Sequence, residues 1–332
     1  MRSTDIAIDM GSSNIRVFAK GKGVIISEPS IVAYDKETDR ILAYGEEARQ
    51  MIDHTQGNVV AVRPFKNGTI SDYSVTEKML RYFLQRALGR RAFRKPYMSI
   101  CVPSGVTEVQ RRAVVEAAYQ SGARDVTMVD AIVAAAIGAG IDITKPVGNM
   151  IMDIGGGTCD IAVLSIGSPV ISTSSKNAGN QFNEMITRYI RRNHSLFIDE
   201  DKAEEVKRRI GSAFRRPAAE SMQVTGRNVH TGLKKTVSLT TEEMREALRE
   251  CTSQIADEVQ GVLERTPPDL AADIAVRGIV MTGGGSLLHG LPELIEDRTN
   301  INVMVAEDPA SCVAAGAGLY TQMMDQIGRM EY

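Results

Sequence analysis

Ile8-Asp9-Met10-Gly11-Ser12-Ser13-Asn14-Ile15-Arg16-Val17 returns, in outline, as Met152-Asp153-Ile154-Gly155-Gly156-Gly157-Thr158-Cys159-Asp160-Ile161. In each copy an apolar run (Asp5 to Ile8, and Asn149 to Met152) leads to an aspartate, a tight turn of Gly, Ser or Thr, and a second run with alternating apolar residues. Alternation with a period of two marks a half-buried strand, and a glycine-rich break between two such runs marks a hairpin. The pattern predicts one hairpin with an acid at its mouth, made twice.

Glycines permit close backbone approach, so successive N–H groups can converge on a phosphate while Ser or Thr hydroxyls add donors. A carboxylate just ahead of such a turn cannot bind phosphate directly, because like charges repel. It can hold a hydrated Mg²⁺ that bridges to the phosphates, or polarise an attacking water. A third turn, Thr282-Gly283-Gly284-Gly285-Ser286, follows the strand-like Ile279-Val280-Met281 and opens into a helical pattern. There a flat ligand can lie against the backbone, and a helix N-terminus faces anions.

Two hairpin phosphate loops followed by a late glycine loop resemble the actin, heat-shock-chaperone and sugar-kinase superfamily of ATP-binding folds. Within it the chain is similar to the MreB/Mbl family of bacterial actin homologues. Arg63-Pro64, Gly68 to Tyr73, Val102-Pro103, Ala134 to Gly140, Asp153 to Thr158, Thr231-Gly232-Leu233, Glu264 to Pro268 and Arg277 to Leu291 carry the match, which spans essentially the whole chain. The resemblance implies an α/β fold of two duplicated domains flanking a nucleotide cleft, each with a small insert. Domain I would comprise residues 1–140 plus 313–332, with an insert at about 30–72. Domain II would comprise 141–312, with an insert at about 179–240.

By the same resemblance, Asp9 and Asp153 stand nearest Mg²⁺ and the reacting water. Gly11, Ser12, Ser13 and Asn14 wrap one side of the phosphates of ATP, and Gly155, Gly156, Gly157 and Thr158 close the other, with Gly179 beside them. Glu204 and Lys207, on a helix through Ala203-Glu204-Glu205-Val206-Lys207, face the nucleoside, and Gly283, Gly284 and Gly285 complete the adenine side. Without the resemblance, the Glu200 to Arg209 stretch reads as a solvated charged helix.

The sequence departs from the family in two places. The family reads Glu-Glu-Pro ahead of its Ala-Ala-Ala-Ile-Gly run, and the second glutamate orients the attacking water; here the run is Asp130-Ala131-Ile132-Val133-Ala134, which puts Ala131 at that place. A methyl group can neither accept a proton nor orient water, so Asp130 is the substitute candidate. In Ala178-Gly179-Asn180-Gln181-Phe182-Asn183 two family aspartates have become amides. These changes put hydrolysis in doubt more than binding, and leave two readings open: a slow Mg-dependent ATPase, or a paralogue with ATP as a structural ligand.

Composition is consistent with this reading. With 332 residues and 43% hydrophobic content, the chain can bury a core large enough for two domains. A net charge of −2 offers no general attraction for nucleic acid. Cys101, Cys159, Cys251 and Cys312 lack metal-ligand spacing, which fits reduced, buried thiols in a cytosolic protein. The start of the chain reads as a strand rather than a signal peptide, and no run of about 18 apolar residues could span a membrane.

A basic cluster, Arg90, Arg91, Arg94 and Lys95 around Phe93, contains no acid. In the resembling family a loop at this place docks on the inner face of the cytoplasmic membrane, where each basic residue adds about 1 kcal/mol near anionic lipid. A solvated turn is the rival reading. The resemblance also implies a head-to-tail homopolymer, since such contacts do not close on themselves. It further implies shape and cell-wall-synthesis proteins as partners. A small-molecule kinase of the same superfamily would need a carboxylate base for its substrate, and a chaperone would need a peptide-binding domain.

Overall fold

The computed structural model describes residues 5–54, 58–66, 68–89 and 95–320. Its first half runs β1 (Ile6–Met10), β2 (Asn14–Ala19), β3 (Gly23–Pro29), β4 (Val32–Asp35), β5 (Arg40–Tyr44), α1 (Gly45–His54), β6 (Val59–Val62), β7 (Phe65–Lys66), β8 (Thr69–Ile70), α2 (Tyr73–Leu88), β9 (Tyr97–Val102), α3 (Glu108–Ser121), β10 (Asp125–Asp130) and α4 (Ala131–Gly138). The second half runs β11 (Asn149–Ile154), β12 (Cys159–Ser165), β13 (Ser168–Ser175), α5 (Gly179–His194), β14 (Leu196–Phe197), α6 (Glu200–Ile210), β15 (Ser221–Asn228), β16 (Lys234–Thr240), α7 (Thr241–Arg265), α8 (Pro268–Arg277), β17 (Ile279–Thr282), α9 (Leu291–Thr299) and β18 (Val303–Val305), with a last helix, α10, over 312–320.

Two five-stranded sheets share one plan. The first has the order β3-β2-β1-β9-β10 and the second β13-β12-β11-β17-β18. In both, a central strand forms an antiparallel hairpin with its successor and pairs in parallel with a later strand on its other side. The repeated sequence motif is therefore a repeated strand–turn–strand. Small three-stranded sheets, β5-β4-β6 and β14-β15-β16, stand apart from the large ones.

Local signals explain the helix starts. Thr107 followed three residues later by Gln110 predicts a capping box, which forms on α3, and Thr240 with Glu243 forms another on α7, giving acceptors to orphan N–H groups at each helix start. In the sequence, Asp308-Pro309 reads as the start of the last helix, with Pro at its first position. In the structure Asp308 and Pro309 lie in turns, and the helix begins at 312, because the Pro309 carbonyl accepts a hydrogen bond from the Gly283 N–H at 2.7 Å instead of continuing a helix.

α4 is buried from Ala131 through Ile137, so it is apolar all round, as befits a helix enclosed by protein. It packs with α10 in one cluster that also takes Ala7 and Cys101 from the first sheet and Ile151 and Ala162 from the second. This cluster joins the two halves beneath the cleft. α4 and α10 approach closely: a Cβ on Gly138 would lie 1.9 Å from the Cys312 carbonyl oxygen, and one on Gly316 would lie 1.8 Å from that of Ala134. All four cysteines are free and buried, as expected. No helix among the described residues is long and apolar enough to cross a membrane.

Candidate nucleotide site

The first hairpin carries Asp9 near the end of β1, where strand register sets it opposite Arg16 on β2. The Arg16 guanidinium lies 3.8 Å from the Asp9 carboxylate. Burial pushes the Asp9 carboxyl up to about 6, against the pull of that arginine. The turn beyond is tight, since a Cβ on Gly11 would lie 2.5 Å from the Asn14 carbonyl oxygen. Ser30 donates to the Gly11 carbonyl at 2.6 Å, and the Gly68 N–H reaches the Ser12 hydroxyl at 3.4 Å, so the turn is held from outside as well.

In the second hairpin Asp153 on β11 faces Asp160 on β12. Burial and the neighbouring Asp160 charge push Asp153 up to about 7, although Thr282 donates to its Oδ1 at 2.9 Å. Burial likewise lifts Asp160 to about 6, opposed by the hydroxyls of Ser174 and Thr158. The Gly155 N–H closes the turn on the Thr158 carbonyl at 2.8 Å. The N-terminus of α5 then docks on it, with the N–H groups of Gly179 and Asn180 donating to the Gly155 and Gly156 carbonyls at 3.0 and 2.7 Å.

The third turn lies against the second hairpin. Gly283 has φ +79° and Gly285 packs on Ile154; a Cβ at either would fall within 2.5 Å of an Ile154 atom, so only glycine fits. At Gly284 a Cβ would meet nothing within 4 Å, which leaves that face open.

These three turns meet around one cavity of about 580 Å³. Asp9, Gly11 to Asn14, Asp153, Gly155 to Thr158, Gly179, Glu204, Lys207 and Gly283 to Gly285 all line it. A larger groove of about 910 Å³ between α5 and α7 contains none of these turns or buried acids. Glu204 and Lys207 share a face of α6 but bind each other first: Lys207 Nζ lies 2.6 Å from Glu204 Oε2 and donates to the Gly179 carbonyl at 3.0 Å. Burial pulls the Lys207 ammonium down from its ordinary range. Burial is the largest single influence on Glu204 and pushes it up, but the Lys207 charge, the hydrogen bonds from Lys207 and Asn183 and the Arg208 charge together hold it below its ordinary range. The contact geometry, more than either shift, supports an ion pair.

Asp130 does not join this lining. Its Oδ1 accepts from the Ser104 hydroxyl at 2.8 Å and caps α4 through the Ile132 N–H at 3.4 Å, while the methyl of Ala131 lines the cavity. The carboxylate ends β10 and starts a helix, so its oxygens serve the helix N-terminus. Three residues of the site went unassigned in the sequence. Thr282 orients Asp153, Asn180 receives the Ser13 hydroxyl at 3.0 Å, and Asp160 lines the cavity while its Oδ1 is buried without a hydrogen-bond partner. Counting across the second hairpin pairs Asp153 with Asp160, so that signal was available.

The donor set suits a cation. Asp9 and Asp153 share the influence of Arg16, while the buried Asp160, bonded by the Ser174 and Thr158 hydroxyls, keeps one oxygen without a hydrogen-bond partner. Among the described residues, no three His, Cys, Asp or Glu side chains converge tightly enough to hold a metal ion directly. Mg²⁺ dehydrates reluctantly and keeps several of its waters, so one or two carboxylates suffice to hold it. Arg90, Arg91, Phe93 and Arg94 lie outside the described residues, and Lys95 is exposed.

Paired five-stranded sheets around a cleft lined by two aspartate hairpins define an actin-like fold. The chain is similar to the solved structure of MreB 5 of Spiroplasma citri bound to AMPPNP, with a TM-score of 0.92, 35% identity and 100% of each chain covered. It is 45% identical over 327 residues to the cell shape-determining protein Mbl of Bacillus cereus, covering 98% of both chains. It is 42% identical over 333 residues to the cell shape-determining protein MreB of Escherichia coli K12, covering 99% of this chain and 96% of that one. Residues 3–329 match the MreB/Mbl protein family, and the chain belongs to it.

Proposed function

We propose that this protein binds ATP with Mg²⁺ and polymerises head to tail into cytoskeletal filaments that help set rod cell shape. The observation that carries the reading is the convergence of two aspartate hairpins and a third glycine turn on one cavity. Gly11 to Asn14 and Gly155 to Thr158 hold the phosphates from opposite sides, and Gly283 to Gly285 take the adenine side. Mg²⁺, when bound, would supply charge neutralisation at the phosphates, and Asp9 and Asp153 are the residues that would hold it. The similarity to an AMPPNP-bound relative over the full chain supports the nucleotide.

In this reading residues 1–140 with 313–332 form one domain and 141–312 the other, so a nucleotide in the cleft ties the two together. Ala131 favours weak hydrolysis, because no carboxylate stands where the family's glutamate orients water. We place the filaments beneath the cytoplasmic membrane, organising cell-wall synthesis. Phe93 with Arg90, Arg91, Arg94 and Lys95 would be the anchor, since many weak contacts on one polymer act together. Electron microscopy with Mg-ATP on anionic vesicles tests the reading: membrane-bound filaments support it, and a monomer under all nucleotide conditions refutes it. A variant combining Phe93→Ala, Arg90→Glu and Arg91→Glu should keep ATP binding and lose vesicle co-sedimentation; retained co-sedimentation places the anchor elsewhere.

A further inference from the structure

The groove of about 910 Å³ between α5 and α7, away from the nucleotide cleft, is walled by opposite charges. Arg188 and Arg192 stand one turn apart on α5, Glu246 and Glu250 stand one turn apart on α7, and all four are exposed. Among the described residues Arg188, Arg192 and Glu250 make no ion pair and no side-chain hydrogen bond, and Glu246 holds only the exposed Arg249 at 3.3 Å. Each helix therefore carries like charges at i,i+4, an arrangement that costs stability in an isolated chain. A basic last turn suits the dipole of α5, which accounts for Arg192 but not for Arg188 or for the acidic row on α7.

The two rows stand at equal height. His194 Nε2 meets Glu243 Oε1 at 2.8 Å, which sets the end of α5 beside the start of α7, and the two helices run antiparallel along the groove. Arg192 is two residues back from that contact and Glu246 three on; Arg188 is six back and Glu250 seven on. At a rise of 1.5 Å per residue the rows match to within about 1.5 Å. Half-buried Met185, Tyr189 and Ala247 line the groove with them. Opposite rows at equal height make a self-complementary surface. A twofold axis parallel to the helices lays α5 of one copy over α7 of another, so that Arg188 faces Glu250 of the partner subunit and Arg192 faces Glu246 of the partner subunit, and the axis repeats both contacts. An axis across the helices would instead stack arginine on arginine. A bilayer of anionic lipid or a polyphosphate would meet the acidic wall as well as the basic one, and like charge repels it.

We infer that the α5–α7 groove is a self-association surface on which a second copy of this chain docks face to face, basic row against acidic row. The contact is closed, unlike a head-to-tail one, and it uses no residue of the nucleotide cavity, so it is tested on the nucleotide-free chain and stands or falls apart from the polymer reading. Disulfide trapping on the full chain is the test, since the four native cysteines are buried. A chain with Arg192→Cys, mixed with one carrying Glu246→Cys and mildly oxidised, should give a dimer linked between positions 192 and 246, identified by mass spectrometry. Its yield should be about tenfold that of the linked dimer from either chain alone, because only facing positions bring two thiols within bonding reach. Adding Arg188→Glu to the first chain should cut that yield about fivefold, as an ion pair becomes a like-charge contact, and adding Glu250→Arg to the second chain should restore it. Circular dichroism should stay native throughout, since all four positions are exposed. A mixture that links no better than the separate chains overturns the inference. So does a yield that Arg188→Glu leaves unaltered, or a loss that Glu250→Arg does not restore.

Discussion

The Ser13 hydroxyl donates to Asn180 Oδ1 at 3.0 Å, joining the first phosphate turn to the helix that follows the second. The bond crosses the cleft between two halves of the chain 167 residues apart in sequence. Both groups are neutral, so the contact does not depend on pH or screening as an ion pair would. The cross-cleft pair Arg63–Glu200, at 3.4 Å and partly exposed, is the weaker, salt-sensitive counterpart.

That closeness dictates the effect of Gly156→Val. A Cβ at Gly156 would lie 1.9 Å from Ser13 Oγ and 2.8 Å from Ser13 Cβ, so the two loops must part to admit it. Gly156 is not among the positive-φ glycines, so the obstacle is steric contact between loops and not backbone angle. ATP affinity should fall by about 100-fold or more while circular dichroism stays native, and Ser13→Gly in the same chain should restore part of the loss. Unaltered affinity in the single variant would remove these loops from the phosphate site.

Ala131 opens α4 and lines the cavity, so a longer side chain there enters it. Ala131→Glu should raise phosphate release at saturating ATP, with little change in affinity, because a positioned base acts in the transition state. Such groups are typically worth about 10²–10⁴-fold, and a gain of at least tenfold is expected here. Equal rates for parent and variant would mean that Ala131 does not limit turnover.

Gly316→Ala tests the joint beneath the cleft. The new methyl would press on the Ala134 carbonyl oxygen from 1.8 Å, and overpacking of this kind costs about 1–3 kcal/mol. The midpoint of urea denaturation should drop accordingly, and both halves of the chain should lose stability together, since the α4–α10 cluster touches both sheets.

The buried acids predict an inverted pH dependence in the nucleotide-free protein. Asp153 titrates near 7 when folded, far above its ordinary value of 3.8, because burial and Asp160 disfavour its charge. Between about pH 4 and 7 the folded state therefore holds a proton that the unfolded state has released, and stability falls as pH rises. Melting temperatures measured in EDTA should decline across that window, and Asp153→Asn should make the decline shallower, with Asp9 and Asp160 supplying the remainder, and raise the melting temperature at pH 8 by a few degrees. A melting temperature that rises steadily from pH 4 to 8 would contradict the burial of this carboxylate.

The hairpins, the third glycine turn and the capped start of α3 were legible because they rest on local rules: period-two alternation, glycine freedom and side chains that accept from orphan N–H groups. The repeated motif announced two like hairpins, and the resemblance implied two duplicated domains; the common strand order of the two sheets is seen in the structure. Other features depended on the path of distant segments. Asp130 carried the right chemistry but its oxygens went to Ser104 and to the start of α4, because a helix N-terminus satisfies its N–H groups with the nearest acceptor. The last helix gave up its expected first residues because Gly283 needed the Pro309 carbonyl. The pairing of Ser13 with Asn180 and the unmatched oxygens of Asp160 and Asn183 exist only where segments far apart in the sequence pack together. Sequence determines which groups are available; the fold decides which of them are desolvated together, and desolvation gives a carboxylate or an amide its function at this site.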